Sequence, residues 1–157
     1  MTKTLEAGDP APRFNLTVSS GGSARLSDYS GQHLVLFFYP KDDTEACTKE
    51  AVAFSGMQSR INRKGGAILG VSRDSLEDHA KFIAKYKLKV RLGADEDGKV
   101  CEAFGVWGEK QLYGRKFMGV IRSTFLIDPK GVILQVWRKV RVAGHAEAVY
   151  ETLAGAR

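Results

Sequence analysis

Cysteine is scarce in this 157-residue chain: only Cys47 and Cys101 occur. Two cysteines cannot staple a disulfide framework. No Cys-x-x-Cys is present, which excludes a zinc ribbon and a dithiol redox motif. His33, His79 and His145 are scattered and none neighbours a cysteine, so neither a resident metal nor another cofactor is expected. No apolar run approaches the roughly 20 residues of a membrane span; the longest, residues 34–39, has six. The opening Met-Thr-Lys-Thr-Leu-Glu-Ala-Gly-Asp-Pro lacks the apolar core of a secretory leader, so a cytoplasmic protein with no membrane attachment is expected. Repeats, low-complexity segments and linkers are also missing, which predicts one domain over residues 1–157.

What is present fits a globular protein. Hydrophobic residues make up 43% and charged residues 27%, a balance that can build a core and argues against disorder. The net charge is +6, but the basic residues are dispersed, and the densest cluster, Arg138-Lys139-Val140-Arg141, is short. A solvated basic surface is the better reading than a nucleic-acid footprint.

Residues 14–18 read as a short strand, and residues 19–23 as a hairpin-like turn. Leu34-Val35-Leu36-Phe37-Phe38-Tyr39 is apolar on both alternating faces, the pattern of a central strand covered on both sides. Pro40 ends it. A helix follows, with Cys47, Ala51, Phe54, Gln58 and Ile61 on one face, and Gly65-Gly66 stops it. Residues 67–71 read as a second buried strand. Ser75 then caps a helix with Leu76, Ala80, Ile83 and Lys87 on one side. After a short apolar piece at 90–92 and a helical turn or two at 99–104, residues 120–127 are strand-like. Residues 132–137 are their hairpin partner, and a helix at 146–153 closes the chain. This order predicts an α/β protein of thioredoxin-like arrangement, a central mixed sheet flanked by helices with an extra N-terminal β segment.

Cys47 falls in the first turn of the helix after the buried strand. Backbone N–H groups there lack intrahelical partners and the helix dipole is positive, so both favour a thiolate, the nucleophilic form. Each candidate has a plainer alternative. Cys47 could be a small buried hydrophobe. Thr44 could be a simple N-cap, or present its hydroxyl to the space Cys47 occupies. Pro40 could only end a strand, or shield the sulfur from water. Glu50 could be an exposed helix carboxylate, or handle protons. Arg122 lies in the otherwise apolar Val120-Ile121-Arg122-Ser123-Thr124-Phe125-Leu126-Ile127. It could reach solvent from an edge strand, or pair with a buried anion such as a thiolate.

Pro40-x-x-x-Thr44-x-x-Cys47, after a buried strand and with Arg122 far downstream, resembles the peroxiredoxins. Over nearly the whole chain the resemblance extends to the arm Ala7-Gly8-Asp9-Pro10-Ala11-Pro12-Arg13-Phe14. It also covers Phe38-Tyr39-Pro40-Lys41, Phe104-Gly105-Val106-Trp107-Gly108-Glu109-Lys110 and Ile121-Arg122-Ser123-Thr124-Phe125-Leu126-Ile127-Asp128. These segments are similar to the bacterioferritin comigratory protein, or PrxQ, branch. The resemblance implies a thiol peroxidase that reduces hydrogen peroxide and organic hydroperoxides. Cys47 would be the peroxidatic nucleophile and pass through a sulfenic acid. Thr44 would hydrogen-bond peroxide or thiolate, Arg122 would hold the thiolate and polarise the peroxide, and Pro40 would shape the pocket. The implied partners are peroxide and a thiol reductant such as thioredoxin, and a monomer is implied.

The chain departs from that branch at Thr44-Glu45-Ala46-Cys47, where many members read Thr-Pro-Gly-Cys. It also has Val52 where many members place a resolving cysteine, and no cysteine in the helix over residues 75–87, where another subgroup does. A one-cysteine mechanism with an external thiol is therefore expected; the alternative is Cys101 as resolver, which needs Cα atoms within about 7 Å. Two competing readings make distinct demands. A thiol–disulfide exchanger needs Cys-x-x-Cys and a proline before the hairpin strand, and the four prolines, Pro10, Pro12, Pro40 and Pro129, supply none there. A nonenzymatic basic binding module needs an unreactive Cys47 and salt-dependent nucleic-acid binding.

Overall fold

A computed structural model describes residues 4–156. Residues 1–3, where the expected absence of a leader was read, and Arg157 lie outside the described residues. In chain order the strands are β1 (Asn15–Val18), β2 (Ser23–Arg25), β3 (His33–Phe38), β4 (Gly66–Ser72), β5 (Arg91–Ala94), β6 (Trp107–Leu112), β7 (Arg115–Val120), β8 (Ser123–Ile127) and β9 (Ile133–Arg138). The helices are α1 (Glu45–Arg63), α2 (Leu76–Tyr86), α3 (Lys99–Ala103) and α4 (His145–Gly155).

Seven strands form one mixed sheet in the order β2-β1-β5-β4-β3-β8-β9, with β3, β4 and β5 parallel and the outer pairings antiparallel. The two faces of β3 explain its unbroken apolar run. Val35, Phe37 and Tyr39 pack with Phe54 and Ile61 of α1, Phe82 of α2 and Val149 of α4. Leu34, Leu36 and Phe38 pack on the other side with Phe14, Cys101, Phe104, Phe125 and Ile133. This is the expected α/β, thioredoxin-like architecture with a central mixed sheet and an additional N-terminal β1–β2 hairpin.

α1 buries Cys47, Glu50, Ala51, Phe54, Met57 and Ile61, a stripe at steps of three and four. Phe54 stacks on Phe37 with ring centroids 4.6 Å apart, and Phe37 in turn stacks on Tyr39 at 5.7 Å. That stack needs Gly70 on β4, because a Cβ there would stand 2.6 Å from the Phe37 ring and 2.8 Å from Leu92. A neighbouring glycine thus seats the aromatic floor beneath the helix that bears Cys47.

Two expectations are corrected, and one pair of strands went unread. α2 does not bury Leu76, Ala80, Ile83 and Lys87 together. It buries His79 and Phe82, with Ile83 and Tyr86 half-buried, whereas Leu76, Ala80 and Lys87 are exposed. Lys87 has left the helix as its left-handed C-cap, and a buried histidine supplies part of the inward face. Residues 120–127 are not one strand: β7 ends at Val120 and β8 begins at Ser123, so Arg122 sits in a two-residue link. The apolar run hides this break because the chain there passes from one sheet to another. The unread pair is β6 and β7, which form a separate two-stranded hairpin that the pattern did not indicate. Its strands are largely exposed, and its signal is the tight turn at Tyr113-Gly114, where both residues have positive φ, as a type I′ turn requires.

Candidate active site

The end of β3 delivers the chain through Pro40 into a loop, and Thr44 stands at the N-cap position of α1. Cys47 is the third helical residue, so its backbone N–H is one of the donors without an intrahelical acceptor. Its side chain is only 2% exposed. Arg122 reaches it from the link between β7 and β8. One guanidinium nitrogen, Nη2, donates to Cys47 Sγ at 3.3 Å, and the other, Nη1, donates to Glu50 Oε1 at 2.7 Å. A single planar cation therefore bridges the sulfur and a buried carboxylate, the geometry for which arginine is suited.

Glu50 is not an exposed helix carboxylate; it is 1% exposed. Burial raises its pKa to about 7, against the charge and hydrogen bond of Arg122. Its second oxygen, Oε2, and the Thr48 hydroxyl are buried polar atoms with no hydrogen-bond partner among the described residues. Burial works against the Arg122 charge, but Glu50 and Cys47 outweigh it and the guanidinium pKa is raised.

Thr44 is exposed, and its hydroxyl donates to the Lys41 carbonyl at 2.9 Å. The hydrogen expected to face Cys47 is thus engaged within the loop, and the side chain makes no capping bond either. Rotating that hydroxyl is what would present it to a ligand. Pro40 is half-buried and lines a cleft with Arg73, Trp107, Lys110, Phe117 and Val120. Lys110 is a site residue the sequence did not single out. Its ammonium donates to the Val120 carbonyl at 2.9 Å. Burial and the Arg122 charge lower its pKa, while Cys47 acts the other way. It comes from the unforeseen β6 strand, so no local pattern pointed to it.

His145 opens α4 and lies within electrostatic reach of Arg122. Its Nε2 is 2.7 Å from Thr124 Oγ1, and its ring packs edge-on against Phe54 and Trp137. Burial, and then the Arg122 charge, lower its pKa to about 4, so it is neutral near pH 7.

Cys101 is not brought to this site. It is fully buried in the core layer on the opposite face of the sheet from Cys47. Its backbone N–H donates to Asp95 Oδ2 at 2.8 Å, and burial beside that carboxylate pushes the thiol pKa up.

A buried cysteine at a helix start, bridged by one arginine to a buried glutamate, agrees with the family resemblance, and comparison with known proteins decides it. The family model described as AhpC/TSA family matches residues 7–136. The chain belongs to the AhpC/TSA family. It is 44% identical to the putative peroxiredoxin bcp of Coxiella burnetii, over 93% of this chain and 97% of that protein. It is 43% identical to the peroxiredoxin Bcp of Bacillus subtilis, over 96% of each. Among solved structures, a cysteine-to-serine mutant of Xylella fastidiosa PrxQ superposes with a TM-score of 0.91 at 39% identity, covering 96% of both chains. A Xanthomonas campestris bacterioferritin comigratory protein, described in terms of its alkyl peroxide reduction activity, superposes with a TM-score of 0.85 at 44% identity over 89% of each chain. This AhpC/TSA-family chain is a peroxiredoxin of the Bcp/PrxQ kind, and peroxiredoxins are thiol peroxidases.

Proposed function

We propose that Cys47 is the peroxidatic nucleophile, and that the chain reduces hydrogen peroxide and organic hydroperoxides by a one-cysteine mechanism completed by an external thiol. The observation that carries this reading is the Arg122 guanidinium donating to both Cys47 Sγ and Glu50 Oε1.

The Cys47 thiolate attacks the terminal oxygen of ROOH. A sulfur–oxygen bond forms, the oxygen–oxygen bond breaks, and its electron pair leaves on RO⁻. Arg122 spreads positive charge over the reacting sulfur and oxygens, the type of fixed donor that stabilises developing charge. The free N–H of Cys47 adds a second donor. Thr44, once its hydroxyl turns from Lys41, offers a third. Pro40 narrows the approach and limits water. Glu50, with a pKa near 7, keeps a proton available beside the arginine for the leaving oxygen. Cysteine is oxidised to the sulfenic acid, and peroxide is reduced to alcohol or water. A thiol then displaces water from the sulfenic acid to give a mixed disulfide. A second thiol releases Cys47, with the reductant leaving as its disulfide.

Cys101 lies across the sheet with its pKa raised, which supports an outside reductant such as thioredoxin rather than internal resolution. The chain is proposed to act as one domain and as a monomer, which light scattering at a mass of 17.2 kDa would register. Two free cysteines and a need for thiol reductant suit a reducing compartment, the cytoplasm. Among the described residues, no helix is long and apolar enough to cross a membrane.

The test is intact mass after one equivalent of hydrogen peroxide, starting fully reduced and without added thiol. Gain of one oxygen, trapped at Cys47 by a sulfenic-acid reagent, is expected. Loss of two hydrogens within the monomer would assign resolution to Cys101. An unchanged mass would end the peroxidase reading.

A further inference from the structure

A second buried polar cluster lies beneath the loop that leads into Cys47, and the chemistry described above does not use it. His79 of α2 is fully buried. Its Nε2 is 2.9 Å from the Gly93 carbonyl of β5, and its Nδ1 is 2.6 Å from Asp42 Oδ2. A carbonyl only accepts, so Nε2 carries a hydrogen. A second proton lies between Nδ1 and the Asp42 carboxyl, whichever atom holds it. The other Asp42 oxygen, Oδ1, accepts from the Tyr39 hydroxyl at 2.6 Å, and the Asp42 backbone N–H donates to Asp74 Oδ2 at 2.9 Å. Asp42 is thus tied to α2 and the end of β3 at once, and through His79 to β5.

The next residue is held by the same helix. Asp43 has a φ of 58°, a left-handed conformation that a residue with a side chain adopts at a cost. Its carboxylate accepts from Lys85 Nζ at 2.8 Å and from the Tyr86 hydroxyl at 2.6 Å. α2 therefore grips two consecutive loop residues, one in the core and one at the surface. Thr44, by contrast, makes its side-chain bond only within the loop, to Lys41.

We propose that His79 is a positioning residue: through Asp42, and with Lys85 and Tyr86 on Asp43, it clamps the loop over residues 40–44 so that the first turn of α1 holds Cys47 against Arg122. The proposal rests on the peroxidatic role of Cys47. It predicts opposite effects on the two half-reactions. A small peroxide reacts best with the turn closed, where Arg122 meets the sulfur. A protein thiol must bring its own sulfur to bonding distance of a side chain that is 2% exposed, which requires the turn to swing out. The clamp favours the first reaction and opposes the second.

The test separates the half-reactions in the full-length protein, using His79→Phe and, as a surface variant that leaves the core intact, the double variant Lys85→Met with Tyr86→Phe. Cys47 oxidation by hydrogen peroxide is followed by sulfenic-acid trapping. Reduction of preformed sulfenic acid is followed with thioredoxin and, separately, with dithiothreitol. In His79→Phe, oxidation is expected to slow by about tenfold or more, since slight misplacement of a reacting group costs up to about 10²-fold. The ratio of the thioredoxin rate to the dithiothreitol rate is expected to rise, and amide exchange over residues 41–48 to quicken relative to β3 and β4. The surface variant is expected to shift the same three readouts in the same directions, by less. If His79→Phe does not fold, the surface variant alone decides. Both half-reactions slowing together, or unchanged loop exchange and rates in the folded variants, would overturn the clamp. Wild-type protein in which peroxide leaves Cys47 unmodified would instead overturn the peroxidatic role on which the clamp depends.

Discussion

Arg122 bridges the proposed nucleophile and a buried carboxylate with two nitrogens of one guanidinium. Arg122→Ala removes the donor aimed at the sulfur and at the developing oxyanion. Loss of such a donor costs on the order of 3 kcal/mol, about 10²-fold in rate. A stopped-flow measurement of Cys47 oxidation should show that loss in kcat/KM, and a rate near wild type would remove Arg122 from the mechanism. Glu50 and His145, which both feel the Arg122 charge, oppose each other in their dependence on pH. The Glu50 pKa is raised from 4.5 to about 7 by burial, so its contribution to stability is full below 4.5 and is lost as pH rises through 7. The His145 pKa is lowered from 6.5 to about 4, so its contribution is full above 6.5 and is lost as pH falls through 4. In the wild type the two slopes offset each other across that window. Glu50→Gln removes one of them, and its stability in urea should rise as pH goes from 4 to 6.5. A variant curve parallel to that of the wild type would contradict the assignment. That Cys47 sits at a helix start and that an arginine needs an anion were legible from residue type and position. The burial of Glu50 was not, because it depends on which side chain arrives from a link 72 residues downstream.

At the scale of elements, α1 holds its place through the stack of Phe54 on Phe37, and β4 makes room for that stack with Gly70. Gly70→Ala drives a methyl into the Phe37 ring and Leu92. Overpacking of this kind costs typically about 1–3 kcal/mol. Thermal unfolding should show a lower Tm, with Phe37→Leu in the same chain restoring part of it; a Tm at the wild-type value would mean that β4 and α1 separate easily. The helix and strand positions of this region follow from the continuous run of β3 and the three-and-four spacing of α1. The inward face of α2 did not follow, since two faces have similar spacing and the buried one includes His79, whose polar atoms are satisfied only by Asp42 and Gly93 from other elements. The β6–β7 hairpin escaped for a different reason. Its strands lie largely outside the core, so no apolar alternation marks them, and only Tyr113-Gly114 betrays the turn.

At the scale of the whole molecule, the central sheet divides the two thiols. Cys47 packs with α1, α2 and α4, and Cys101 with the N-terminal arm and Phe104 on the far side. A resolving disulfide would have to draw one of them out of its core layer. Cys101→Ser keeps a donor for Asp95 and removes the thiol. Steady-state peroxide turnover driven by an external thiol should therefore equal that of the wild type, within about twofold. A collapse of turnover, with a Cys47–Cys101 disulfide found in the wild type, would show that the sheet opens during the cycle.

The sequence by itself determined the α/β order, the buried central strand, the placement of Cys47 in the first turn of a helix and the shortage of thiols. Each is a local property, expressed within a few turns of helix or one run of strand. Only the tertiary structure decided that Arg122 meets Cys47 and Glu50, that Cys101 faces the other way, and that α2 grips Asp42 and Asp43. Those outcomes join residues from separate elements, and their geometry depends on how the sheet stacks its helices rather than on the spacing within any one of them.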